Sequence, residues 1–148
     1  MSKKALILTW EKFQDHEVIY PYYALKQEGF EVTVAANEIG RVFGILGAHI
    51  TCDLLVDDLC PDSIDDYDLL VVPGGVKALE KLRLEKNAVN FTKNWINAGK
   101  TTFSICNGAQ LLITAGVVQG RKLSGYYSIE PDINNAGAEY SRDNVVID

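Results

Sequence analysis

The 148-residue sequence is poor in histidine and cysteine and has no long apolar run, and each shortage excludes something. Histidine occurs only at His16 and His49. Cysteine occurs only at Cys52, Cys60 and Cys106, with no CxxC pair. That supply and spacing do not suit a His/Cys zinc cage, and no metal is expected. An odd cysteine count without framework spacing argues against structural disulfides and makes a reducing cytoplasm the expected compartment. No stretch approaches the roughly 18 apolar residues of a membrane span. The first apolar run, residues 5–10, is too short for a signal-peptide core and passes straight into polar sequence. Basic residues are outnumbered, 14 Lys+Arg against 20 Asp+Glu for a formal charge of -6. Nucleic acid and anionic membranes both reward excess cation, so neither is an expected partner.

What the chain does have is core-forming sequence. Apolar residues make up 47% and charged residues 23%, the balance of a globular protein, and the length fits one domain over residues 1–148. Residues 4–9 (KALILT) form a continuous apolar run that reads as a buried strand. Over residues 15–29, Val18, Tyr22 and Leu25 recur at helical spacing, and Gly29 supplies a stop. A second strand follows at 30–36, so the chain opens β-α-β with a right-handed parallel crossover.

Residues 38–59 are broken by Gly40, Gly44 and Gly47 and read as a hairpin-like excursion, with strand character at 48–52. A central strand is expected at 68–72, ended by Pro73-Gly74-Gly75. Helix is expected at 88–98, strand at 101–105 and helix at 108–115, stopped by Gly116. Short elements follow: strand at 122–123, helix at 131–136 and a last strand at 145–147. Alternating strands and helices specify an α/β fold, a doubly wound, mostly parallel sheet with helices on both faces. Such sheets carry their sites at the carboxyl ends of the strands, here the loops after Thr9, at 73–75 and at 104–108.

Cys106 stands at a strand-to-helix corner with Gly108 two residues on. Such a corner holds its residue in a strained backbone that pushes the side chain outward, as in a nucleophile elbow. The following helix N-terminus favours the thiolate. Gly74 and Gly75 end the neighbouring strand, where small residues let main-chain N–H groups reach a developing oxyanion. Core filling is the competing reading for any free cysteine; Cys52 and Cys60 have no such corner context and are not expected to do chemistry.

Three segments carry a family resemblance: Asp66-Tyr67-Asp68-Leu69-Leu70-Val71-Val72-Pro73-Gly74-Gly75, Ser104-Ile105-Cys106-Asn107-Gly108-Ala109-Gln110-Leu111-Leu112, and Ala115-Gly116-Val117 with Gly120-Arg121-Lys122-Leu123. Together with Glu17-Val18-Ile19-Tyr20-Pro21-Tyr22 and Asn135-Ala136-Gly137-Ala138-Glu139-Tyr140, they resemble the ThiJ/PfpI superfamily, nearest its PfpI branch, over essentially the whole chain. The resemblance implies a flavodoxin-like sandwich, a nucleophile at Cys106 and an acid on the first helix, matching Glu17, that hydrogen-bonds the sulfur. A carboxylate would repel a thiolate, so the workable Glu17 is protonated and donates. The resemblance also implies a homodimer or higher oligomer, and the sequence itself gives no sign of a metal or organic cofactor.

The chain departs from that pattern at three places. The PfpI branch usually has histidine after the cysteine, the base of a Cys-His-Glu triad; here Asn107 cannot take a proton at neutral pH. The triad acid, supplied across a subunit interface in the family, matches Glu80, which then has no imidazole to orient. Tyr126 matches a PfpI-branch tyrosine near the cysteine, whereas the deglycase branch has histidine there, so both family histidines are missing from the site. His16 and His49 read as surface residues. Family members also run on past residues 145–148 with a strand and a closing helix. The resemblance therefore implies either a shortened chain or a sheet face covered by another chain.

Three readings follow. In the first, Cys106 attacks an electrophilic carbonyl with Glu17 as acid/base, while the Gly75 and Asn107 N–H groups hold the oxyanion, a glyoxalase- or deglycase-like reaction; peptide hydrolysis is disfavoured without a base. The second is a redox or stress sensor working through Cys106 oxidation. The third is a catalytically degenerate family member. A glutamine amidotransferase is a poor fit, since no histidine follows Cys106.

Overall fold

In a computed structural model describing residues 1–148, the chain forms a five-stranded sheet in which every neighbouring pair is parallel. Strand β1 (Lys4–Leu8) pairs on one side with β2 (Glu31–Ala36) and on the other with β6 (Leu69–Val72). The short β5 (Leu54–Leu55) and β7 (Thr102–Ser104) complete the order β5-β2-β1-β6-β7. The two central strands are built from continuous apolar sequence because both their faces are covered, and Leu6, Ile7, Leu8, Leu70, Val71 and Val72 are fully buried.

Helix α1 (Asp15–Gln27) joins β1 to β2, while α2 (Val76–Leu82) and α3 (Lys86–Asn97) lie between β6 and β7. Those two connections move in opposite directions along the sheet. Right-handed crossovers therefore place α1 and α3 on opposite faces. Helix α4 (Ala109–Ala115) follows β7 and packs on α3. Phe91 and Trp95, one turn apart on α3, stack at 5.7 Å and are fully buried, which anchors this layer. The strand order reverses between β1 and β6, so a crevice opens at their carboxyl ends.

The excursion after β2 is an antiparallel hairpin of β3 (Gly40–Phe43) and β4 (His49–Cys52). Its turn is fastened to the first turn of α1 by the buried Asp15 carboxylate, which accepts the Leu46 and Ala48 N–H groups at 2.8 and 2.7 Å. Toward the C-terminus, β8 (Lys122–Leu123) and β9 (Glu139–Tyr140) form a small parallel pair around α5 (Glu130–Asn135).

Several expectations need correction. Residues 145–147 are not a strand: they follow β9 as irregular chain, with Val145 and Ile147 exposed and no neighbour offering a ladder. Helix α2 and strand β9 were not anticipated. The first is only seven residues and begins directly on the Pro73-Gly74-Gly75 break; the second is only two residues and is held by pairing with β8. The corner at Cys106 starts as a single 3-10 turn over Cys106–Gly108, so α4 proper begins at Ala109.

Candidate active site

Cys106 is one of two non-glycine residues with a left-handed backbone, at φ 56°. This conformation is costly for a residue with a side chain and persists where the surroundings enforce it. The enforcement is visible. The Ile105 N–H donates to the Val72 carbonyl at 3.0 Å, fastening the end of β7 to β6. Gly108 passes so close to that same carbonyl oxygen that a Cβ there would collide with it. The chain must turn sharply between these two anchors, and Cys106 absorbs the turn.

Glu17 comes from the first turn of α1 and is 8% exposed. Its Oε2 accepts the Gly74 N–H at 2.7 Å in a buried hydrogen bond, and its carboxyl group lies close enough to the Cys106 thiol to raise the thiol's pKa. Pro21, four residues on, has no N–H to give to the Glu17 carbonyl, so α1 is relieved of one helical bond at this residue. Gly74 is required here: a Cβ would meet Glu17 Oε2, lie 2.8 Å from the Cys106 Cβ and 3.0 Å from the Asn107 nitrogen. The main-chain N–H groups of Asn107 and Gly75 lie near the sulfur and act to lower the thiol's pKa. Gly75, at φ 109°, has its own Cα against the Phe13–Gln14 backbone, where a Cβ would fall 2.6 Å from the Gln14 nitrogen.

The structure thus gathers Cys106, Glu17, Gly74, Gly75 and Asn107 at one point. Asn107 is 4% exposed, and its Oδ1 accepts the Cys106 S–H at 3.3 Å. Tyr126 stands on the rim: its N–H donates to the Cys106 carbonyl at 3.2 Å and its ring packs on Tyr127. Glu80 is not brought to this point within the chain. It lies on the exposed face of α2 and pairs with Lys77 at 3.5 Å. His16 is exposed on α1, and His49 is exposed on the hairpin against Phe43.

The electrostatics correct one expectation. Burial, and then the negative charge of Glu17, push the Cys106 thiol up to about 11, against the lesser pull of the Asn107 and Gly75 N–H groups. A helix N-terminus does not produce a standing thiolate here, because α4 begins three residues later and the nearest full charge is a carboxylate. The resting site therefore holds a neutral thiol beside the Glu17 carboxyl group. A groove of ≈ 770 Å³ opens beside Cys106, walled by α1, β7, Tyr126 and residues 143–146, and no histidine lines it.

The DJ-1/PfpI family model matches residues 3–148. The chain belongs to the DJ-1/PfpI family. It is 43% identical over 145 residues to deglycase PfpI of Pyrococcus furiosus, covering 98% of this chain and 85% of that one. General stress protein 18 of Bacillus subtilis is 40% identical over 149 residues, covering 99% and 84%. Among solved structures, a two-domain protein of Anabaena variabilis containing DJ-1/ThiJ/PfpI-like and ferritin-like domains superposes with a TM-score of 0.92 at 32% identity. That match covers 99% of this chain and 42% of the other. Such neighbours have the flavodoxin-like α/β fold expected from the sequence. No helix is long and apolar enough to cross a membrane.

Proposed function

We propose that this DJ-1/PfpI family member is a cysteine-dependent enzyme acting on reactive carbonyls, with Cys106 as nucleophile and Glu17 as the proton-transfer group. The observation that carries this reading is the contact of Glu17 with a neutral Cys106 thiol at a strained elbow, with two main-chain N–H groups beside the sulfur. As Cys106 Sγ bonds to an aldehyde carbon, its proton passes to the Glu17 carboxylate, and the carbonyl π electrons move onto oxygen. The Gly75 and Asn107 N–H groups are placed to hold that oxyanion. Glu17 returns the proton to it, leaving a hemithioacetal. For a 2-oxoaldehyde, transfer of the C1 proton to C2, with the hydroxyl proton passing from the C1 oxygen to the C2 oxygen, gives a thioester. Water hydrolyses the thioester to a 2-hydroxy acid and frees the thiol.

The names of similar proteins, deglycases among them, support carbonyl chemistry. Peptide hydrolysis by a cysteine–histidine pair has no support, since Asn107 occupies the histidine position and no histidine lines the groove. Peroxide sensing requires a thiolate, and a thiol raised to about 11 works against it. A homo-oligomeric state belongs to the same proposal, with Glu80 exposed on α2 beside Lys77, where a neighbouring copy could meet it.

Conversion of methylglyoxal to lactate under reducing conditions, in the wild-type protein and in Cys106→Ser, tests the reading. Turnover that disappears in Cys106→Ser supports it. Equal turnover in both proteins, or none in either, overturns it.

A further inference from the structure

The first turn of α1 is held only weakly by its own helix. Gln14 at the N-cap makes no side-chain capping bond, and Pro21 has no N–H to give to the Glu17 carbonyl. What fixes this turn comes from two other elements. On one side the Gln14 N–H donates to the Gly74 carbonyl at 3.3 Å, and Glu17 accepts the Gly74 N–H at 2.7 Å. On the other side lies the β3–β4 hairpin. The Lys12 N–H donates to the Phe43 carbonyl at 2.8 Å, and the Ile45 N–H donates to the Phe13 carbonyl at 2.9 Å. Lys12 is the second non-glycine residue with a left-handed backbone, at φ 64°, and it stands at this joint. Such a conformation persists only where its surroundings over-determine it.

Asp15 completes the hairpin side. An acid in the first turn of a helix ordinarily serves that helix's own free N–H groups. Here the carboxylate, 7% exposed, spends both oxygens on the hairpin: Oδ2 accepts the Leu46 N–H at 2.8 Å and Oδ1 the Ala48 N–H at 2.7 Å. Gly44 leaves the room for it, since a Cβ there would fall 2.5–2.6 Å from the carboxyl atoms. Two residues along a helix turn the side chain by about 200°, so Asp15 and Glu17 leave α1 on opposite sides. One grips the hairpin while the other faces Cys106, and Asp15 does not line the groove beside the sulfur.

We propose that Asp15 is a positioning residue for Glu17: by clamping the first turn of α1 to residues 44–48, it holds the Glu17 carboxyl at the Gly74 N–H and beside Cys106. The proposal rests on the carbonyl reading in one respect, that Glu17 is the group moving the proton. The clamp itself requires no turnover.

The test is the pH midpoint of Cys106 labelling by iodoacetamide in wild type, Asp15→Ala, Glu17→Gln and the double variant. Burial and then the charge of Glu17 hold the thiol up at about 11. Without the clamp, Glu17 withdraws from the sulfur. Asp15→Ala should then lower the midpoint by about half a pH unit or more, raising labelling at pH 8 roughly threefold. The double variant should match Glu17→Gln alone, because the two residues act through one carboxyl group. The Tyr126 phenol on the rim also ionises in alkaline buffer, but it is common to all four proteins and drops out of the comparison. A merely structural Asp15 gives a different pattern: loosening that exposes the sulfur adds to the effect of Glu17→Gln. Additive shifts, or an unchanged midpoint in folded Asp15→Ala, overturn the proposal. Phe91→Leu, which loosens the α3 layer on the other face of the sheet, should leave the midpoint in place, and an equal shift there also overturns it. If Asp15→Ala does not fold, Asp15→Asn keeps the shape and one acceptor oxygen; its smaller downward shift should likewise vanish in the Glu17→Gln background. Failure of the carbonyl reading shows separately, as wild-type protein without methylglyoxal turnover in which the labelling midpoints still move together.

Discussion

Asn107 Oδ1 lies 3.3 Å from the Cys106 sulfur and accepts its hydrogen, so the residue in the usual histidine position stabilises the thiol form. An amide oxygen is too weak a base to take the proton away, and its lone pairs oppose the thiolate. Asn107→His, placing a titratable base at the same distance, should raise the rate of iodoacetamide labelling of Cys106 at pH 7 by about tenfold or more. A labelling rate equal to wild type would show that the neighbouring side chain does not control the sulfur.

Labelling of Cys106 by iodoacetamide should rise with pH toward a midpoint near 11, the value set first by burial and then by Glu17. Glu17→Gln removes the opposing charge and should move that midpoint down, while abolishing methylglyoxal turnover. The sign for stability follows from the same shift. Because the folded state holds the thiol proton more tightly than the unfolded chain, the contribution is complete below the ordinary thiol range and is lost as pH rises toward 11. Thermal melts of wild type and Cys106→Ser should therefore diverge in alkaline buffer, with wild type losing more.

Gly74→Ala should be disruptive although it adds one methyl group. The new Cβ would lie 2.8 Å from the Cys106 Cβ and 3.0 Å from the Asn107 nitrogen, and would meet Glu17 Oε2, all in the same place. A cost of about 1–3 kcal/mol is expected from overpacking, together with loss of turnover because Glu17 must move. Denaturant unfolding with a parallel activity assay checks both.

Thr92 of α3 is fully buried, and its hydroxyl has no hydrogen-bond partner. Thr92→Val keeps the shape and removes an unpaired polar atom, so stability should rise by about 1 kcal/mol. A lower melting temperature in the valine variant would mean that the hydroxyl is satisfied in solution.

The legible parts of the fold were those where one local pattern decides the outcome. The runs KALIL and LLVV are apolar throughout because β1 and β6 are buried on both faces, and Gly29 and Gly99 end α1 and α3 with left-handed backbone, at φ 85° and 72°. The Cys106 corner was legible from strand, cysteine and glycine in succession. Glu17 needed the family resemblance, since nothing local distinguishes it from a solvated carboxylate; its role comes from a Gly74 N–H 57 residues away. The same limit explains residues 145–147: β-branched sequence invites a strand, but a strand exists only where another offers its edge. The neutral state of Cys106 was also out of reach, because it depends on burial and on a charge brought in from α1.

The Asp15 carboxylate, gripping the Leu46 and Ala48 N–H groups, sits two residues before Glu17 on the same helical turn. A peripheral hairpin is thereby fastened to the helical turn that carries Glu17. A displacement of residues 44–48 would act on the start of α1 through those two hydrogen bonds.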